Sequence, residues 1–247
     1  MANAWDVGSA KLLAHLGYAA LATTSAGFAN SLGRLDGGVT RDEAIAHSAE
    51  LAAATPLPVS ADFENGFADR PEDVADNVTL ASTTGLAGLS IEDWNRQDGV
   101  IYDFGLARER VAAAAQAAHA GPVRLVLTAR AENHVRKIDN LDDTIARLQA
   151  FEAAGADVVF APGITTTEQI TRVVDAVDVP VNVLVLPGVP ALGELAQLGV
   201  ARVSVGSGFA LAAYGALAAA ARELLEQGTY RYWELAAAAS TLRAAFD

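Results

Sequence analysis

Apolar and polar positions along this chain change on two scales. Short runs of apolar and β-branched residues are separated by longer Ala-rich stretches whose polar residues recur with helical spacing. The pattern predicts strands at Tyr18–Thr24, Pro58–Phe63, Gly88–Asp93, Arg124–Arg130, Asp157–Ala161, Val181–Leu186 and Arg202–Gly206. Helices are predicted between them, over Ser9–Leu16, Thr40–Ala54, Pro71–Thr83, Leu106–Ala120, Asp142–Ala154, Thr166–Val177 and Val189–Leu198. The strands read as continuous apolar runs, as expected of a parallel sheet covered on both faces. Four strand starts share one turn: Leu16-Gly17-Tyr18, Thr84-Gly85-Leu86, Ala154-Gly155-Ala156 and Leu198-Gly199-Val200. In each, glycine is expected to end a helix in the left-handed conformation. Thr40 with Glu43 three residues on makes a capping box at one helix start.

Seven strand–helix units follow from this reading, and Ala2–Trp5 supplies an eighth strand before the helix at Ser9. Eight units of about 30 residues predict the α/β class, as a (β/α)₈ TIM-type barrel, better than an open sheet. The Ala-rich end, Leu211 to Phe246, adds two or three further helices broken at Gln227-Gly228-Thr229. No linker or low-complexity segment interrupts residues 1–247, so a single domain is expected.

Composition narrows the function classes. The chain has 247 residues, 52% of them hydrophobic, with a mean hydropathy of +0.25, enough for a sizeable core. Its net charge is −13 and no run of Lys or Arg occurs, which argues against a nucleic-acid partner. The absence of cysteine removes disulfides, thiolate zinc sites and cysteine nucleophiles together. The nearest approach to a membrane span, Val203 to Ala221, is interrupted by Gly206-Ser207-Gly208 and Tyr214-Gly215. Met1 to Asp6 has neither a basic nor an apolar leader region. A cytoplasmic enzyme without a membrane partner is expected.

In a parallel α/β barrel, functional groups gather just after the strands. The segment Val59-Ser60-Ala61-Asp62-Phe63-Glu64-Asn65-Gly66 ends an apolar run in two carboxylates at i and i+2, which share one side of a strand. Two such groups repel unless a proton or cation lies between them, and Mg²⁺ or Mn²⁺ prefers oxygen ligands. Acidic residues recur at Asp36 in the loop before, at Glu92-Asp93 after the fourth strand, and at Glu132 after the fifth. A shared metal explains the recurrence more economically than independent acidic turns. Arg130, whose planar fork matches a carboxylate, would meet an anionic substrate. Thr23-Thr24-Ser25-Ala26-Gly27 reads equally as a plain turn or as a nest of backbone N–H groups for a carboxylate. His15, His47 and His119 fall on helices and are expected at the surface; only His134 is placed toward the site. No phosphate-binding loop, dinucleotide fingerprint or serine-nucleophile elbow is present.

These residues taken in order resemble a known family. Asn3-Ala4-Trp5-Asp6, Thr24-Ser25-Ala26-Gly27, Ala61-Asp62-Phe63-Glu64-Asn65-Gly66, Ser90-Ile91-Glu92-Asp93, Ala129-Arg130-Ala131-Glu132 and Gly155-Ala156-Asp157 resemble the isocitrate lyase/phosphoenolpyruvate mutase superfamily, in its phosphoenolpyruvate mutase-like subgroup. The resemblance runs from residue 3 to about residue 230. It implies a (β/α)₈ barrel assembled as a homodimer or homotetramer, with the helices of 211–247 used in oligomerisation. It implies C–C or P–C bond chemistry beside a 2-oxo acid, with Mg²⁺ or Mn²⁺ stabilising an enolate. By similarity Asp62 would ligate the metal directly, with Glu64, Glu92 and Asp36 holding its waters. Ser25, Ala26, Gly27, Trp5 and Arg130 would bind the small carboxylate substrate, and Arg130, Asp36 and Glu92 would serve the chemistry. Two departures stand out. Isocitrate and methylisocitrate lyases carry a Lys-Lys/Arg-Cys-Gly-His loop, and this chain has no cysteine. The phosphonopyruvate enzymes place Lys and Asn in a gating loop, which here runs from Trp94 to Asp103 without lysine. A Mg²⁺-dependent lyase or decarboxylase leads this reading, ahead of a P–C bond enzyme and of an oxo acid-binding barrel without catalysis.

Overall fold

The repeat is punctuated by glycine. Gly17, Gly85, Gly155 and Gly199 all take positive φ, from 84° to 102°, so each of the four recurrent turns closes a helix in the left-handed region that glycine enters without strain. In a computed structural model describing residues 1–121 and 123–247, the chain runs β1 (Ala2–Ala4), α1 (Val7–His15), β2 (Leu21–Thr23), α2 (Ser25–Ser31), α3 (Arg41–Ala54), β3 (Val59–Asp62), α4 (Pro71–Ala81), β4 (Gly88–Glu92), β5 (Trp94–Asn95), β6 (Val100–Ile101), α5 (Phe104–Ala120), β7 (Val126–Arg130), α6 (Leu141–Ala153), β8 (Val158–Phe160), α7 (Thr167–Val174), β9 (Val181–Leu184), α8 (Leu192–Gln197), β10 (Arg202–Ser204), α9 (Gly208–Gln227) and α10 (Ala239–Phe246).

Eight strands form one parallel sheet in the order β1-β2-β3-β4-β7-β8-β9-β10. Asn3 carries the sheet round from β10 to β1. Its Oδ1 accepts from the amides of Val205 and Gly206, both at 3.0 Å, and its Nδ2 donates to Thr23 O at 2.7 Å. The arrangement is the expected (β/α)₈ TIM-type barrel with additional C-terminal helices.

The strands are not apolar throughout, and this corrects the reading of continuous runs. Val59 and Ala61, Leu89 and Ile91, and Leu127 and Ala129 are all buried in the core shared with α4 (Val74, Val78), α5 (Val111, Ala114) and α6 (Leu148, Phe151). The alternate positions Ser60, Asp62, Ser90, Thr128, Arg130, Asn182 and Ser204 line an internal cavity. Period-two alternation therefore places the apolar core between sheet and helices and leaves the barrel interior polar. Truncating a fully buried leucine such as Leu127 in that outer layer should cost about 2–5 kcal/mol.

Two elements were not legible in the pattern. Ser25–Ser31 form a helix capped by Thr24, whose hydroxyl accepts from Gly27 N at 3.2 Å, and the segment after Glu92 folds into a β5–β6 hairpin. The histidine expectation holds for His15, which is exposed, and needs correction at His47 and, in part, at the half-buried His119. His47 is 5% exposed and stacks on Phe28 with ring centroids 3.7 Å apart, while His119 bonds Asp157 at 2.8 Å. At the far end, α9 buries only Ala210. Its length and composition would suffice to cross a membrane, contrary to the reading that no stretch qualifies. α10 folds back on α1, where Lys11 Nζ donates to Phe246 O at 3.1 Å.

Candidate active site

The cavity occupies the barrel interior and its carboxyl-end mouth, with a volume of about 230 Å³. β3 ends at Asp62, so Glu64 lies beyond the strand and the i, i+2 strand geometry does not hold. Glu64 instead adopts φ 45° and Phe67 φ 55°, left-handed conformations that cost non-glycine residues energy and concentrate at functional sites. The loop is held from below. Arg110, 1% exposed, donates to the carbonyls of Asn65, Ala68 and Asp69, and its guanidinium lies 4.0 Å from the Tyr102 ring. The Tyr102 hydroxyl donates to Asp69.

Arginines and carboxylates interleave at the mouth. Arg130 Nη1 contacts Asp62 Oδ1 at 2.8 Å, and its Nη2 contacts Glu92 Oε2 at 3.0 Å and Glu132 Oε1 at 2.7 Å. Arg136 reaches Glu132 at 2.9 Å and Glu92 at 3.5 Å, and it lies 4.5 Å from the Trp94 ring. Arg96, from the β5–β6 hairpin, reaches Asp36 at 3.1 Å and Glu64 at 3.3 Å. Five carboxylates (Asp36, Asp62, Glu64, Glu92 and Glu132) thus share three guanidiniums, and two negative charges are left over. The surplus registers in the proton affinities. Burial, reinforced by Asp62, pushes the Glu64 carboxyl up to about 7. Burial and the neighbouring Glu132 hold Glu92 well above the usual carboxylate range. Glu64 Oε1 is also buried without a hydrogen-bond partner among the described residues.

The donors fit a divalent cation in charge and in chemistry. The oxygens are hard ligands, two surplus negative charges match one such ion, and an orphaned buried carboxylate oxygen awaits a partner. Among the described residues, no three acidic or histidine side chains close on one point as direct ligands. Asp62, the expected direct ligand, and Glu64 and Glu92, expected to hold the metal's waters, are interleaved with Arg130 and Arg96.

The remaining expected residues are distributed as follows. Ser25 and Ala26 line the cavity, as do Asp36, Asp62 and Arg130. The nest at Ser25–Gly27 is the first turn of α2. Ser25 N and Oγ both donate to Asp62 Oδ2, at 3.0 and 2.9 Å, and Gly27 N is taken by its own cap. Gly27 and Trp5 lie outside the cavity lining and pack on each other: a Cβ at Gly27 would sit 3.0 Å from Trp5 Cβ. His134 is turned toward Asp139, at 3.6 Å, and does not line the cavity. Sequence reasoning placed Arg96 in the gating loop from Trp94 to Asp103 but missed Arg136 and Arg202. The i, i+4 spacing of Glu132 and Arg136 was the one available signal; nothing local marks Arg202.

The sequence and the fold are matched by known proteins. A family model described as phosphoenolpyruvate phosphomutase matches residues 1–225. The chain belongs to this family. It lies within the isocitrate lyase/phosphoenolpyruvate mutase superfamily of lyases and mutases. A crystal structure of a lyase/mutase candidate from Burkholderia cenocepacia J2315 is 48% identical, covers 100% of this chain and 89% of that one, and superposes with a TM-score of 0.95. An oxaloacetate decarboxylase of Paraburkholderia xenovorans is 31% identical over 84% of this chain and 70% of its own length. The structure of 2,3-dimethylmalate lyase, a superfamily member, is 26% identical with a TM-score of 0.86, covering 98% of this chain and 87% of that one.

Proposed function

We propose that this member of the family is a Mg²⁺-dependent lyase or decarboxylase that acts on a small 2-oxo or 2-hydroxy carboxylic acid through an enolate. The observation that carries the reading is the surplus of two negative charges at the cavity mouth, where the five carboxylates Asp36, Asp62, Glu64, Glu92 and Glu132 exceed the three guanidiniums of Arg96, Arg130 and Arg136. Asp62 would ligate Mg²⁺ (or Mn²⁺) directly, and Glu64, Glu92 and Asp36 would hold its water molecules. When bound, the ion supplies Lewis-acid stabilisation of negative charge developing on substrate oxygens. The chain's own groups do the rest. Arg130 fixes Asp62 and faces the substrate carboxylate, with the α2 N-terminus of Ser25 and Ala26 on the other side. Arg96, on the β5–β6 hairpin, pairs with Asp36 of the cavity lining, and closure of the hairpin over the mouth would limit water and strengthen every electrostatic contact inside. The relationship to an oxaloacetate decarboxylase supports a C–C bond substrate. Purified protein with Mg²⁺ should turn over at least one acid in a panel of oxaloacetate, malates and alkylmalates; turnover of none would refute the C–C reading.

A second reading is favoured by the family model itself: P–C bond chemistry on phosphonopyruvate, detected by phosphorus NMR as rearrangement or phosphate release. Pyruvate binding without turnover of either class would leave an oxo acid-binding barrel. The exposed apolar residues Leu211, Leu217, Leu224, Trp233 and Leu235 support assembly into a homodimer or homotetramer through α9 and the segment after it.

A further inference from the structure

Three arginines line the barrel cavity, and they are not in the same state. Arg130 meets three carboxylates and Arg136 two. Arg202, on β10, meets none among the described residues. Its Nη2 donates to Thr128 Oγ1 at 2.7 Å and its Nε to Asn182 Oδ1 at 3.0 Å, and Asn182 Nδ2 in turn donates to Ser204 Oγ at 2.9 Å. These neutral acceptors hold the guanidinium in place without offsetting its charge. Nη1 makes no hydrogen bond within the described residues. Burial alone lowers the Arg202 pKa, to about 10, with no acidic neighbour acting against it. A half-buried cation without a counterion is left uncompensated, and an anion entering the cavity would pair with it.

The spacing indicates which anion. Thr128 and Arg130 are two residues apart on β7 and share its inner face, a separation of about 6.6 Å along the strand. Arg202, bonded to Thr128, therefore stands one row below the mouth in the same cavity. One short molecule can engage both rows if it carries a negative group at each end. We propose that Arg202, with Thr128 and Asn182 positioning it, is a second anion subsite that takes the distal carboxylate of a dicarboxylate whose 2-oxo or 2-hydroxy acid end is bound at the mouth. The proposal rests on the functional reading above and assigns the residue that would recognise the second carboxylate of a diacid substrate.

The test compares ligands that differ by one carboxylate. Titration calorimetry with Mg²⁺ present would measure malate and lactate, each as both enantiomers, and pyruvate as the reference for the mouth. Wild type should bind one malate enantiomer about 10- to 100-fold tighter than lactate, the range expected of a charge-assisted pair. Arg202→Gln should bring that ratio to about one while pyruvate affinity stays unchanged, which also shows that the variant is folded; Arg202→Lys should restore part of the ratio. A wild-type ratio near one, or a ratio that survives Arg202→Gln, would overturn the subsite while leaving the mouth intact. A ratio that survives together with a lower melting temperature would make Arg202 an internal cross-link only. Wild type that fails to bind pyruvate would overturn the parent reading, and the subsite with it.

Discussion

The mouth of the barrel and the C-terminal helices are mirror cases of incomplete partnering. At the mouth, groups that water solvates well are buried: Glu92 is 4% exposed and Glu132 1%. In α9 and the turn after it, groups that water rejects are exposed: Leu225 is 85% exposed and Leu235 84%. Buried charge is tolerated only when opposite charge is supplied, and a contiguous apolar surface persists only when something covers it. The two regions therefore call for different partners, a cation in one and protein surface in the other. Each deficit can be probed without disturbing the other.

The largest effect is expected from removing positive charge at the mouth. Arg130→Gln leaves Asp62, Glu92 and Glu132 without their shared guanidinium and should cost about 3–5 kcal/mol in urea unfolding at pH 7. A loss below about 1 kcal/mol, the range of a surface pair, would mean the carboxylates do not depend on it. His47 offers a smaller effect of opposite origin, a buried titratable ring with no acidic partner bonded to it. Burial holds its pKa at about 4, below the unfolded value of about 6.5. The unfolded chain therefore binds the proton more readily, so stability is full above pH 6.5 and is lost as pH falls toward 4. The loss should approach about 3 kcal/mol. Urea unfolding of wild type and His47→Gln across that window should show the difference vanish when the dependence belongs to His47; parallel curves would assign it elsewhere. The smallest change in chain stability belongs to the exposed helix. Leu217→Asp should alter the unfolding free energy of an isolated chain by no more than about 0.5 kcal/mol, yet sedimentation should show assemblies falling to monomers. Unchanged sedimentation would remove α9 from the interface.

The same contrast explains what could be read from sequence. The four glycine turns were legible because each glycine sits where φ must be positive, and they set the barrel repeat. Asp62 and Arg130 were legible because they end apolar runs, where a barrel exposes its chemistry. α2 was hidden because Ser25-Ala26-Gly27-Phe28-Ala29-Asn30 has the small residues of a turn, and the helix depends on the Thr24 cap. His47 was misplaced because α3 is rich in alanine, which gives little contrast between its buried and exposed faces. The polar inner face escaped notice because Ser60, Ser90 and Thr128 are small enough to pass within apolar runs. Arg202 was invisible for another reason: its meaning lies in Thr128, 74 positions away.

The account stands most directly on the charge surplus at the mouth. Titration with Mn²⁺, followed by electron paramagnetic resonance of the free ion, measures whether a divalent cation answers it. One Mn²⁺ should bind per chain, be displaced by Mg²⁺, and be lost in Asp62→Asn while the variant remains folded by circular dichroism. Folded wild type that binds no Mn²⁺ at millimolar free metal, or an Asp62→Asn variant that binds it equally well, would contradict the account.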